Sequence, residues 1–251
     1  MLTRRLTLFL SCILGLIGST LLAQFPSRAY NPEVVQLAPR NLQRFLTEGQ
    51  KALEEERYSD GIDLLSLLLG VEDVRVAADI RGQDYFLENE ITRNPPKYYR
   101  KTMRQRALSL LGNMSAKGRE VLEIQFGVTA RRQLDAAIAS GDRKALHEVL
   151  RLYAATDAGF EAQLIVAEQW LSKGSPLAAA QLYRKLLSYE SARAKYGVEL
   201  VRAACQCWIA GGKNPLAVES FLEGARLFPD QTIQLGGQPI VLEDGQNAPQ
   251  I

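Results

Sequence analysis

The chain contains one histidine, His147, in the stretch DRKALHEVLRLYAAT, and three cysteines, Cys12, Cys205 and Cys207. A metal site or an activated nucleophile would have to be built from these residues. A zinc site takes three or four His, Cys or carboxylate ligands. No second histidine exists, and no cysteine pair has ligand spacing. Cys205 and Cys207 lie two apart in a helical pattern. Their side chains therefore diverge by about 200 degrees and cannot bridge each other. A serine or cysteine nucleophile needs a base beside it, and one histidine is a thin supply. No glycine-rich phosphate loop, nucleophile elbow or triad order is present. His147 reads as a helix-surface or partly buried structural residue. The chain reads as a non-enzyme with no cofactor and no metal, and an enzyme of unknown class is the least favoured alternative.

Two charged runs offer binding chemistry. Glu48, Glu54, Glu55 and Glu56 stand at a helix end, where Lys51 and Arg57 pair with them on a solvated face. The stretch Arg93, Lys97, Arg100, Lys101, Arg104 and Arg106 carries no acid and includes Tyr98 and Tyr99. Interleaved aromatic and basic residues suit a nucleic acid, but an exported protein seldom meets one. A solvated basic face touching anionic membrane surfaces is the preferred reading. The net charge of +2 adds no bulk field for a nucleic acid or an acidic partner.

The ends bound the compartment. Met1 to Arg5 is a short basic segment, and Leu6 to Ala23 follows without a charge. Such a pair is the mark of a secretory signal. Ser27 and Ala29 place small residues at minus three and minus one, so residues 1–29 are assigned as the signal, ahead of a cut after Ala23. The rival is an uncleaved anchor, because the apolar run approaches the ~20 residues that span a bilayer. A lipid anchor on Cys12 is disfavoured by bulky Phe9 and Leu10 before it. An exported chain without a disulfide framework must rely on its core, and the roughly 220 residues left after cleavage suffice for one. The expected location is the periplasm or cell envelope.

From Pro39 to Pro229 apolar residues recur at helical spacing. The first pair of helices places Leu42, Phe45, Leu46, Gly49 and Leu53 on one stripe, then Tyr58, Ile62, Leu65 and Leu69 on the next. The break ERYSD is short enough to force an antiparallel hairpin. In AEQWLSKGSPLAAAQLYRKLL, Ala167 and Trp170 are expected to face inward. Gly174 supplies a left-handed cap, Ser175 is expected to cap the next helix, and Pro176 suits its first turn. Ala178, Ala179 and Ala180 permit close backbone approach, and Tyr183 and Leu186 fill the next layer. Residues 200 to 229 repeat the pattern. Trp208 follows Trp170 by 38 residues and Pro215 follows Pro176 by 39, a difference ascribed to a longer turn, AGGKN. Self-similarity at this period marks a helical solenoid.

These residues resemble the tetratricopeptide repeat (TPR) family. Ala167 with Trp170, Ala179 with Tyr183, and Cys205, Trp208, Ala217, Phe221 and Pro229 match its small and aromatic positions. In the first pair Phe45 and Gly49 match, while Gly61 and Leu65 replace the second-helix pair. The resemblance implies an all-α, TPR-like α-solenoid of antiparallel hairpins over residues 30–229.

Residues 71 to 92 are mixed in pattern. Pro95-Pro96 is expected to open a basic helix, KYYRKTMRQRALSLLG. Three more follow, SAKGREVLEIQFG, TARRQLDAAIASG and DRKALHEVLRLYAAT, with turns at Gly112, Gly127 and Gly141-Asp142, and Asp142 as an N-cap. After Pro229 the period changes. Ile233, Leu235, Ile240 and Leu242 around Gly236-Gly237 read as a β-hairpin, so residues 230–251 are assigned as hairpin and linker. This order resembles the N-terminal helical region of exported bacterial proteins with PQQ-binding-like β-propeller repeats. The stretches that carry it are KGREVLEIQFGVTARRQLDAAIASGD, ATDAGFEAQLIVAEQWLSKGSPLAAAQLYRKLL and IQLGGQPIVL. No blade sequence occurs before Ile251, so neither quinone binding nor a propeller carries over. A propeller partner or downstream domain is what the resemblance implies.

The expected job is a protein-binding or scaffold module with a protein or peptide partner. In repeats of this type the first helix of each pair lines the groove. Glu161, Leu164, Glu168 and Leu171 share such a face by spacing, and Glu199, Arg202, Gln206 and Ile209 are their equivalents.

Overall fold

A computed structural model of the protein describes residues 38–70, 84, 85, 87 and 102–242. The expected signal, anchor and Cys12 lie outside these residues. So do most of the 71–92 stretch, the basic residues from Arg93 to Lys101 and the 243–251 linker. No helix among the described residues is long and apolar enough to cross a membrane. The fold is all-α with a C-terminal β-hairpin.

The first hairpin is α1, Arg40–Glu54, and α2, Tyr58–Leu69. Two later hairpins repeat it: α7, Asp157–Ser172, with α8, Pro176–Leu187, and α10, Glu199–Ala210, with α11, Asn214–Leu227. In each, a small residue on the first helix meets a small residue twelve positions later: Gly49 and Gly61, Ala167 and Ala179, Cys205 and Ala217, all buried. The first crossing leaves no room for a side chain. A Cβ on Gly61 would lie 2.6 Å from Leu53 Cδ2 and 3.1 Å from the Gly49 carbonyl oxygen. In the third, the Cys205 thiol donates to the Ala217 carbonyl at 3.4 Å. Four residues beyond each second small residue a large side chain fills the space: Leu65, Tyr183 and Phe221, all buried.

The turns repeat as closely. Ser175 N donates to Trp170 O at 2.9 Å, Lys213 N to Trp208 O at 2.8 Å and Arg57 N to Ala52 O at 2.8 Å. The residue before each donor is left-handed: Gly174, Gly212 and, in the first hairpin, Glu56 with φ 57°. This is a Schellman closure, which satisfies the last carbonyls of the first helix. Two sequence expectations are corrected here. The turn AGGKN is no longer than its counterpart: Trp208, Ala217 and Phe221 all follow their partners by 38, and only the proline moves, from the first helical residue of α8 to the second of α11. Ser175 precedes α8 but makes no side-chain cap. Its carbonyl accepts the first helical bonds, from Ala178 N and Ala179 N, and Pro176, which has no N–H, leaves one orphan donor fewer at this end.

Between the repeats lie α3, Met103–Gly112, α4, Ala116–Leu122, α5, Val128–Ser140, and α6, Arg143–Leu152. The basic stretch is not one helix from Pro96. Thr102 is extended, and a reciprocal capping box between Thr102 and Gln105 starts α3 at Met103. Gly127 does not make a turn either. A π-helical segment, Glu123–Gly127, joins α4 directly to α5, and Gly127 keeps helical angles. Asp142 does cap α6, its Oδ1 accepting from Lys144 N at 2.8 Å. The short α9, Glu190–Tyr196, fills the connection between α8 and α10.

Successive elements stack. α8 packs against both α7 and α10, and α6 and α5 pack against α7. One core runs through them, with Phe160, Leu134, Leu186, Trp208 and Phe221 fully buried. The strands β1, Thr232–Leu235, and β2, Gln238–Val241, pair antiparallel around left-handed Gly236 and Gly237. Ile233, Leu235 and Leu242 are buried, and β1 lies against α10.

Candidate functional site

The face expected to bind a partner is built on α7 and α10. Ala167 and Val166 point α7 into the core, and Ala204, Cys205 and Trp208 do the same for α10. The neighbouring positions are thereby turned outward. On α10 three of the expected residues form one chain of contacts. Arg202 Nε donates to Glu199 Oε2 at 2.6 Å, and its Nη1 donates to Gln206 Oε1 at 2.7 Å. Gln206 Nε2 then donates to the Gln234 carbonyl of β1 at 3.4 Å. Glu168 of α7 is exposed. Both Glu168 and Arg202 act on the buried Tyr183 hydroxyl, which burial first pushes up, Cys207 and Glu168 push further, and Arg202 pulls down. Leu171 and Ile209, the equivalent apolar positions, are 39% and 36% exposed. Glu199, Arg202 and Gln206 are thus joined on α10, and Glu168 stands exposed on α7.

Glu161, two turns before Glu168 on the same stripe of α7, is ion-paired. It accepts from Arg131 Nη1 of α5 at 2.7 Å, and Arg131 also lies 3.8 Å from Asp135. The repeat maps Glu161 onto Glu199, yet each helix has a different neighbour on its open side, α5 for α7 and β1 for α10. Spacing within a helix cannot show which neighbour arrives.

Trp170 packs against the core as expected but less deeply than its counterpart in the third hairpin. Trp208 is 2% exposed and its Nε1 donates to Ser220 Oγ at 3.1 Å. The residue in the Ser220 position of the earlier hairpin is Leu182, which has no acceptor. Trp170 is half-buried and carries Lys173 Nζ 5.1 Å above its ring.

A polar cluster was missed by sequence reasoning. Glu123 Oε1 accepts from the backbone N–H of Asp157, the first residue of α7, at 2.7 Å. Asp157 in turn pairs with Arg119 at 3.1 Å and Lys195 at 2.9 Å. Burial raises the Glu123 carboxyl most, with Asp157 charge adding, while the Asp157 N–H, Arg119 and Lys195 oppose. Burial also pushes Asp157 up, but Lys195 and Arg119 outweigh it and hold the group below the usual range. A Cβ on Gly127 would meet Glu123 Oε2, so the glycine four residues on makes the notch this carboxylate occupies. That Glu-to-Gly spacing was the one signal available in sequence. The arrangement positions α4, α7 and α9 and neutralises itself.

His147 is exposed on α6. Cys205 and Cys207 are buried free thiols, the former pushed up to about 12 by burial, so both stay protonated at neutral pH. No group of three or more His, Cys, Asp or Glu among the described residues is placed to hold a metal ion. The acidic run is solvated, with Lys51–Glu55 at 3.7 Å and Arg57–Glu55 at 2.9 Å. Of the basic stretch, Arg106 donates to Gln50 Oε1 at 3.2 Å, and Arg104 is half-buried. Comparison with known protein families, curated proteins and solved structures finds no match for this chain.

Proposed function

We propose that the chain is a non-enzymatic, TPR-like binding module of the cell envelope that takes a protein or peptide partner on the α7/α10 face. The observation that carries this reading is the exact 38-residue recurrence of the hairpin and its turn. It leaves equivalent positions of α7 and α10 on one side, with Glu168, Glu199, Arg202 and Gln206 beside apolar Leu171 and Ile209. Charge of both signs next to apolar side chains suits an extended or helical peptide better than a small metabolite. The protonated state of both buried thiols and the exposure of His147 support a role without covalent chemistry. The test is a partner pull-down from envelope extract with the wild type, Glu168→Lys and Arg202→Glu. Loss of the same partner with both variants, at unchanged helicity and melting, is the expected result. Retention by both at unchanged affinity refutes the site. Export is tested separately: the protein isolated from its host should begin near Tyr30 or Gln24, and a start at Met1 refutes cleavage.

A second reading, a helical accessory of a PQQ-like β-propeller protein, draws on the hairpin that follows Pro229. Its strands dock on the helical core through Ile233, Leu235 and Leu242. Reading the frame downstream of Ile251 for blades with recurrent Trp and Gly decides it.

A further inference from the structure

The π segment and α5 carry an exposed stripe. Ile124, Val128, Arg131, Asp135 and Ile138 follow one another at spacings of four, three, four and three. This is the spacing of a coiled-coil seam. Ile124, Val128 and Ile138 are 72%, 79% and 49% exposed, more than any other large apolar side chain among the described residues. Nothing else in the described fold covers them. An open depression of about 600 Å³ runs beside the stripe, lined by Gly127, Val128, Arg131 and Asp135 among others. A second, of about 310 Å³, lies at its far end between Ala137, Ile138, Gly141, Leu146 and Ile165.

The stripe is complementary to itself when reversed. In an antiparallel helix pair each layer joins an a position of one helix to a d position of the other. Centred on residue 133, such pairing sets Val128 opposite Ile138 and Arg131 opposite Asp135. A two-fold axis then produces both layers twice, because an isologous interface repeats every contact. The next layer sets Ile124 opposite Asp142, over the 310 Å³ depression, where Ile138, Leu146 and Ile165 stand beside Asp142, Arg143 and Gln169. A parallel arrangement would stack Arg131 on Arg131 and Asp135 on Asp135, so charge selects the antiparallel one. Arg131 is held at the seam by Glu161 of its own chain at 2.7 Å.

We propose that the protein forms a two-fold dimer by antiparallel pairing of α5 with α5 of a second copy, Ile124 of each copy seated in the corner depression of the other. The pairing uses none of Glu168, Glu199, Arg202 or Gln206, so it stands independently of the peptide-binding reading.

Sedimentation of the full chain gives the first measurement. The mass should rise from 27.9 kDa toward twice that value as concentration rises to roughly 100 µM. Val128→Lys and Ile138→Asp, each at an exposed position, should each weaken association about tenfold or more, because each sets a charge against an apolar side chain. Both substitutions in one chain set lysine against aspartate twice and should restore it. Val128→Cys with Ile138→Cys is the second measurement. Ten helical residues put these positions about 15 Å apart in one chain, beyond disulfide reach, so oxidation should yield covalent dimer that neither single cysteine variant yields as completely. A monomer up to that concentration with no covalent dimer overturns the proposal. So does a dimer insensitive to both single substitutions, or cross-linking only to a different protein.

Discussion

Replacing each repeat tryptophan by alanine separates a fully buried position from a partly buried one that the sequence presents as equivalent. Trp208 is 2% exposed and its indole N–H is bonded to Ser220. A buried tryptophan removes about 150–250 Å² from water, which at about 25 cal/mol per Å² is ~4–6 kcal/mol. That figure is an upper bound, since the unfolded chain already hides some surface. Trp208→Ala should therefore cost ~4 kcal/mol, within the usual 3–5 for such truncations. Trp170 is partly buried against the same core and holds one cation–π contact with Lys173, worth ~0.5–1 kcal/mol at an exposed site. Trp170→Ala should cost less, ~3 kcal/mol. For a domain of this size 1 kcal/mol moves the melting temperature by ~2–4 °C, so the Trp208 variant should melt a few degrees lower. The assay is urea unfolding followed by far-ultraviolet circular dichroism, because indole fluorescence changes with the substitution itself. Equal losses would refute the difference in burial between Trp170 and Trp208. A loss under about 1 kcal/mol for Trp208 would refute the packing of the third hairpin.

Three further outcomes follow from the same geometry. A Cβ on Gly159 would overlap the Tyr153 carbonyl and lie 2.8 Å from Ala154 Cα; backbone cannot swing aside, so Gly159→Ala should cost ~3 kcal/mol or more despite the ~1 kcal/mol gain in helix propensity, and a neutral melting curve would refute it. Glu56 holds the left-handed position that glycine fills in the other two turns. Glu56→Gly should relieve the strain of ~1–2 kcal/mol at an entropic cost of ~0.5–1, a net gain of about 0.5 kcal/mol in denaturant titration, and a loss of 1 kcal/mol would contradict it. Glu123 is raised from 4.5, so its protonation favours folding; that contribution is present below 4.5 and lost as pH rises through the folded value. Asp157 is lowered from 3.8, and its contribution is present above that value and lost as pH falls. Glu123→Gln should flatten the fall in stability that begins above pH 4.5 while leaving the acid limb from Asp157, and an unchanged profile across both limbs would remove Glu123 from the linkage.

What the sequence alone determined is local. Gly174 in a left-handed cap, Asp142 as an N-cap and Gly236-Gly237 in the hairpin turn each depend on neighbours within a few positions, where the chain's own stereochemistry decides. The all-α class with a late β-hairpin was legible because a change of hydrophobic period needs no knowledge of what packs outside. The exceptions show where that reach ends. Gly127 reads as a breaker, yet a glycine is helical wherever a neighbouring side chain needs its empty space, and here that side chain is Glu123 reaching for α7. Trp170 and Trp208 match in sequence, yet Ser220 against Leu182 gives them different burial. Glu161 and Glu199 match as well, yet α5 lies beside one and β1 beside the other. In each case the deciding contact reaches a different element and is made by packing, so only the tertiary structure could pair Glu161 with Arg131 and leave Ile124, Val128 and Ile138 uncovered.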